Sequence, residues 1–222
     1  MDWTQTMQKY PEANFLQSPV WGRVNELVGH KVIIEETADY WCQMIVKDAK
    51  RGRYLEVPGG PLVDWKNREQ VEEIFLKIKA IAHQEKCVFV RLRPQLRATE
   101  IEQLEGLGLR KAPMHLHAEH TVILDLTKSE DDLLKEMRRQ TRYEVRQADK
   151  LGIKVEWSNT EDIFREFHRV QAETATRHHF VPPDLKMLMA EREAFGNNAR
   201  LYVAKSEADA PVAYGLILIE GD

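Results

Sequence analysis

Cysteine is scarce in this chain, with two residues, Cys42 and Cys87, among 222. Both lie in apolar, strand-like runs and form no Cys-x-x-Cys pair. That excludes a disulfide-stapled scaffold and a cysteine-based zinc site. Both are expected to be buried thiols in a reducing compartment. Long hydrophobic runs are also missing. No stretch reaches the length of a membrane span, and Met1–Tyr10 has no apolar signal-peptide core. A cytoplasmic protein is expected, and work at the inner face of a membrane is compatible with that. Positive charge is not in excess either. Lys and Arg total 32 against 36 Asp and Glu, a net charge of -4. A protein that coats nucleic acid over its whole surface is thereby excluded, and any phosphate-binding surface must be a patch. The Gly-x-x-x-x-Gly-Lys pattern is absent, so a nucleotide P-loop is not expected. His115, His117 and His120 stand close together, but no carboxylate or cysteine completes a ligand set, and metal binding is not expected.

What is present is a composition of ordinary globular type, 43% hydrophobic and 31% charged. The most unusual stretch runs from Ser129 to Gly152. Ser129 is a good N-cap residue, and Glu130, Asp131 and Asp132 suit the positive end of a helix. Leu134, Met137, Thr141, Val145 and Ala148 recur at steps of three and four. The spacing predicts one helix that ends at Gly152. Lys135, Arg138, Arg139, Arg142 and Arg146 fall on its remaining surface, partly offset by Glu136 and Glu144. A solvated face with local ion pairs would explain such a run. A phosphate-binding face would also explain it, because arginine offers phosphate several donors in one plane.

The rest of the chain reads as mixed α and β. Ser18 and Pro19 open a helix with Val20, Val24 and Leu27 inward. His30–Glu36 and Tyr40–Lys47 read as a hairpin, and Tyr54–Val57 as a third strand ending in the turn-rich Pro58–Pro61. Asn67–Lys86 is an amphipathic helix. Cys87–Pro94 is a strand with Arg91 and Arg93 on the face opposite Val90 and Leu92. A short helix is expected at Ala98–Leu107 and a strand at His120–Leu126. Beyond the cation-rich helix come a strand at Ile153–Trp157, helices at Glu161–Arg177 and Leu185–Phe195, and strands at Ala199–Lys205 and Pro211–Ile219.

This order, with Phe15-Leu16-Gln17-Ser18-x-x-Trp21, Gly60-Pro61-Leu62, Arg91-Leu92-Arg93-Pro94 and Thr141-Arg142-Tyr143-x-Val145-Arg146, resembles the FemABX family of peptidoglycan-bridge aminoacyltransferases. The resemblance implies an α/β (α+β mixed) fold of tandem Gcn5-related acetyltransferase-like domains, residues 1–114 and 115–222, the second incomplete. It implies transfer of an amino acid from aminoacyl-tRNA to the stem-peptide amine of a lipid- or UDP-linked cell-wall precursor. Aminoacyl-tRNA would be a co-substrate, with no separate cofactor. The cations at 135, 138, 139, 142 and 146 would then hold substrate phosphate or tRNA. Trp21, Arg23, Gly60, Arg91, Arg93, Arg177, His178 and Tyr214 become candidates for a substrate cleft. No catalytic residue is assigned. Where members that bind UDP-linked precursor carry a lysine four residues after the Trp, this chain has Asn25. Arg93 stands where an acidic residue often precedes the proline. The strand at 211–219 is expected to leave an open sheet edge that favours dimerisation. An acetyl-CoA-dependent N-acyltransferase and an inactive tRNA- or phosphate-binding remnant are the alternatives.

Overall fold

A computed structural model describes residues 3–50, 52–113 and 121–221. It contains two sheets and seven α-helices among those residues. In the first sheet, β1 (Lys31–Glu36) and β2 (Tyr40–Ala49) form the expected hairpin. The Thr37 hydroxyl accepts hydrogen bonds from the amides of Asp39 and Tyr40 at its turn. β3 (Gly52–Pro58) runs antiparallel to β2, and β5 (Phe89–Arg93) runs parallel to β3. β4 (Leu62–Val63) returns to β2 at Tyr40 and Trp41, on the same side as β3.

Alternation gives this sheet two unlike faces. Cys42, Met44 and Val46 of β2, Leu55 and Val57 of β3, and Val90 and Leu92 of β5 face α3 (Arg68–Gln84). That helix buries Val71, Ile74, Phe75, Ile78, Ile81 and Ala82, the stripe its spacing predicts. Each such side chain contributes roughly 1.5–3 kcal/mol when withdrawn from water, less for the alanine. Cys42 is fully buried here, which pushes its thiol well up. Cys87 is half-buried against the same cluster. The opposite face carries Gln43, Ile45 and Lys47, and α2 (Pro19–Leu27) lies across it. An added Cβ at Gly22 of α2 would fall 2.5 Å from Gln43 Oε1 and 3.3 Å from Val32. α1 (Trp3–Lys9) continues the cover, with the Trp3 ring 5.6 Å from Trp41.

The second sheet has the order β6 (Lys154–Ser158), β7 (Ala199–Lys205), β8 (Pro211–Leu218), all antiparallel. Ala199, Leu201 and Val203 point inward, and the first two join Phe164 and Phe167 of α6 (Glu161–His178) and Leu188, Ala190 and Phe195 of α7 (Leu185–Phe195). Val24 of α2 is fully buried in this same cluster, with Val20, Trp21 and Leu27 packed against it. The sheets therefore lie in separate halves of the sequence, yet α2 is shared. One side rests on the first sheet and the other fills the second core. Lys186 Nζ of α7 also donates to Val28 O at the end of α2, 2.7 Å away. The expected boundary at 114/115 lies outside the described residues.

Three expectations change. Residues 121–126 form no strand, and Val122 and Ile123 are 83% and 89% exposed. His120, with His115 and His117, lies outside the described residues. The helix at 98–107 is a 3₁₀ segment, Ala98–Leu104. The single helix over 129–152 is two helices, α4 (Glu130–Glu136) and α5 (Arg139–Lys150). β8 does lie at a sheet edge.

Glu191 sits on α7 between residues packed into the second core, Met187 and Leu188 on one turn and Ala194 and Phe195 on the next. Burial pushes its carboxyl up from 4.5 to about 7. A raised carboxylate pKa leaves stability intact below the unfolded value and removes it as pH climbs towards the folded one. Urea titration should therefore show a loss between pH 4.5 and 7 of up to about 3 kcal/mol from this residue. Glu191→Gln should abolish most of that loss. Equal losses in parent and variant would refute the assignment.

Candidate phosphate-binding face

α4 begins as its sequence dictates. Ser129 Oγ accepts from the Asp132 amide at 3.2 Å and donates to Asp132 Oδ2 at 2.7 Å. Lys135 pairs with the same carboxylate at 2.8 Å, and these hydrogen bonds hold the Asp132 carboxyl below its ordinary value. Lys128 pairs with Glu136 at 2.6 Å. The helix then stops, because Met137 and Arg138 adopt extended backbone angles (ψ 154° and 149°). α5 restarts without a side-chain cap at Arg138. Gly152, at φ 64°, ends it in the left-handed region that favours glycine.

Neither helix contains a buried residue. The stripe expected from Leu134, Met137, Thr141, Val145 and Ala148 therefore does not enter a core. Arg139, Arg142, Arg146 and Lys150 recur at steps of three and four and share one face of α5. The five expected cations divide by their partners. Lys135 is tied to Asp132. Arg142 Nη1 donates to Lys135 O at 3.0 Å and to Met137 O. Arg138, Arg139 and Arg146 have no carboxylate partner among the described residues, and all three are exposed. Three uncompensated guanidinium groups on a surface that supports no core are available to an external anion.

The other candidates are dispersed. Trp21 meets Phe15 edge-on at 5.3 Å and packs against the second core, where Tyr214 also packs, 6.2 Å from Phe167. Burial and a hydrogen bond to Glu166 push the Tyr214 hydroxyl pKa up. Arg23 is exposed, 3.7 Å from Glu26 and 3.8 Å from Glu193. Arg177 and His178 lie exposed in the last turn of α6, where cations suit the negative helix end. Arg91 and Arg93 are half-buried on β5, in register with Glu56 and Pro58. Sequence reasoning passed over Glu56. Its carboxylate is 3% exposed and 2.6 Å from Lys47 Nζ, beside Arg91 on the face α2 crosses. Strand alternation puts it on the face opposite Leu55 and Val57, which by itself does not tell buried from exposed. Asn25 is buried too, donating to Trp21 O at 2.9 Å.

Gly60 is buried under the Gln17 amide, and an added Cβ would meet Gln17 Cδ at 2.5 Å. Gln17 has a structural task. Residues 42–44 of β2 face a gap between β3, which pairs with 45–49, and β4, which pairs with 40–41. The Gln17 side chain fills it. Nε2 donates to Gln43 O at 3.1 Å and to Pro58 O at 2.7 Å, and Oε1 accepts from Gln43 N at 2.8 Å. A side-chain amide thus makes the paired bonds of a missing strand residue.

Comparison with known proteins covers most of the chain. The FemAB family matches residues 2–107 and again residues 102–212. The lipid II:glycine glycyltransferase of Staphylococcus epidermidis is 24% identical over 221 residues, covering 90% of this chain and 53% of that protein. The enzyme of the same name from Staphylococcus aureus is 22% identical over 227 residues, covering 93% and 54%. The chain spans about half the length of these curated relatives. Among solved structures, FemX superposes with a TM-score of 0.73 at 22% identity, over 91% of this chain and 55% of FemX. Because the family match covers residues 2–107 and 102–212, nearly the whole chain, the chain belongs to the FemAB family.

Proposed function

We propose that this chain carries out, or forms the substrate-binding portion of, aminoacyl transfer onto a peptidoglycan precursor. An amino acid would leave aminoacyl-tRNA and join the side-chain amine of the stem peptide. The observation that carries this reading is the α4–α5 face, with three exposed arginines unpaired among the described residues and no core beneath them. Both substrates are polyanions, and phosphate contacts supply affinity and register without reading sequence. The relatives named as lipid II:glycine glycyltransferases favour glycine as the donor residue and lipid II as the acceptor.

The chemistry is direct acyl transfer. The amine nitrogen attacks the ester carbonyl, an amide bond forms, and the ester bond breaks. The tRNA hydroxyl leaves, with a proton lost by the amine. Donors must stabilise the oxyanion formed on the way. Among the described residues, no helix is long and apolar enough to cross a membrane.

The test is transfer of radiolabelled glycine from glycyl-tRNA to lipid II, with the UDP-linked pentapeptide as second acceptor. Label in lipid II is the expected result. No transfer together with no retention of tRNA at low salt would overturn the reading.

A further inference from the structure

We propose that Arg142 is the positioning residue of the cationic face, spanning the α4–α5 corner rather than gripping phosphate itself. The inference rests on the phosphate-binding reading of that face, and it separates one of its five cations from the others.

The corner has little else to hold it. α4 and α5 bury no side chain, so no core fixes the angle between them. The break at Met137–Arg138 leaves the last carbonyls of α4 without helical partners. Arg138 supplies no side-chain cap to α5. Arg142, one turn into α5, meets the first of these needs. Its Nη1 donates back across the break to Lys135 O and Met137 O, placing a cation at the negative end of α4. Its own amide donates to Arg138 O at 3.1 Å, closing the first turn of α5. Arg142 is half-buried, whereas Arg138, Arg139 and Arg146 are exposed. A planar guanidinium can reach two carbonyls while presenting a fixed geometry to the backbone. Both bonds leave one nitrogen whose N–H directions are fixed by the guanidinium plane, and a lysine amine on a flexible stem has no such plane to hold the two directions. Arg138 lies at the corner and Arg139 and Arg146 lie beyond it. Their placement relative to Lys135 therefore depends on the angle that Arg142 sets.

The experiment uses spin labels at Asp131→Cys on α4 and Asp149→Cys on α5, in a Cys87→Ser chain. Cys42 is fully buried and stays unlabelled. Pulsed electron resonance should give one narrow distance distribution. Arg142→Lys and Arg142→Ala should broaden it, and Arg146→Lys should leave it unchanged. Retention of unacylated tRNA is measured on the same variants without labels. Arg142→Lys should weaken it about tenfold although the charge is kept, whereas Arg146→Lys should cost about twofold or less, since an ammonium still meets a phosphate as a point charge. Distributions that stay narrow in both Arg142 variants would overturn the proposal. Broadening without tRNA retention by any form, parent included, would uphold the positioning role and sink the phosphate-binding reading instead.

Discussion

Gln17→Leu is expected to destabilise the chain by about 3–6 kcal/mol, enough to unfold a domain of ordinary stability. Leucine roughly fills the volume but makes none of the three hydrogen bonds, and the amide it replaces is fully buried. The loss leaves Gln43 N, Gln43 O and Pro58 O without the partner that now serves them. Each buried group left unpaired costs about 1–3 kcal/mol. The defect would also reach the start of α2, because the Gln17 carbonyl accepts from Trp41 Nε1 at 2.9 Å and Gln43 Nε2 donates to Leu16 O at 3.2 Å. Gln17→Glu is the discriminating companion. It keeps the acceptor and the shape but removes the donor that serves two carbonyls. Urea unfolding should place Gln17→Glu near or below Gln17→Leu, because it adds a buried charge. A loss under about 1 kcal/mol for Gln17→Leu would mean that the gap in the sheet closes without the amide.

The second large effect is on binding. The triple variant Arg138→Glu, Arg139→Glu, Arg146→Glu should weaken tRNA retention by about a hundredfold or more near 0.1 M salt, and lower the slope of log K against log salt by about 2–3. All three side chains are exposed, Arg138 at the corner and the other two on α5, which buries nothing, so circular dichroism and thermal unfolding should match the parent. Unchanged retention with intact folding would return this surface to a solvated role. Reversal of paired cations elsewhere provides the comparison. Arg165 and Arg169 of α6, which pair with Glu161, Glu166 and Glu173, should have little effect on tRNA.

Much of the architecture was legible where local periodicity and tertiary burial agree. The hairpin of β1 and β2, helices α3, α6 and α7, and the closing pair β7 and β8 appear within a few residues of their expected spans. In α3 the inward stripe and the buried set coincide. The cation-rich stretch misled for a physical reason. Its apolar residues recur at helical spacing through the break, and nothing local marks Met137 and Arg138 as extended. The hydrogen bonds of Arg142 accompany that corner, and they depend on a conformation rather than on a pattern. The run at 121–126 has the composition of a strand, but β-propensity expresses packing on neighbours, and among the described residues no strand lies beside it. At the candidate site, the cluster of cations could be read directly. Which of them are free could not, because partners such as the Met137 carbonyl carry no side-chain signature. The Gln17 plug was less legible still. Its Pro58 partner is 41 residues away, and the need for it arises only once β3 and β4 leave β2 uncovered.

The sharing of α2 between the two cores has a kinetic meaning. Residues 19–27 can form a capped helix as soon as Ser18 and Pro19 exist, since Ser18 Oγ accepts from the Trp21 amide locally at 3.1 Å. The second wall that houses this helix comes from α6, α7, β7 and β8, more than a hundred residues later. The tie from Lys186 to Val28 spans 158 positions. Closing so long a segment is entropically costly before any contact rewards it, and contacts of such separation slow folding. A helix that can form locally is thus among the last to be enclosed. Until then Val24 and its neighbours stay wet, and enclosing them requires α6, α7, β7 and β8 to dock onto a helix more than a hundred residues before them.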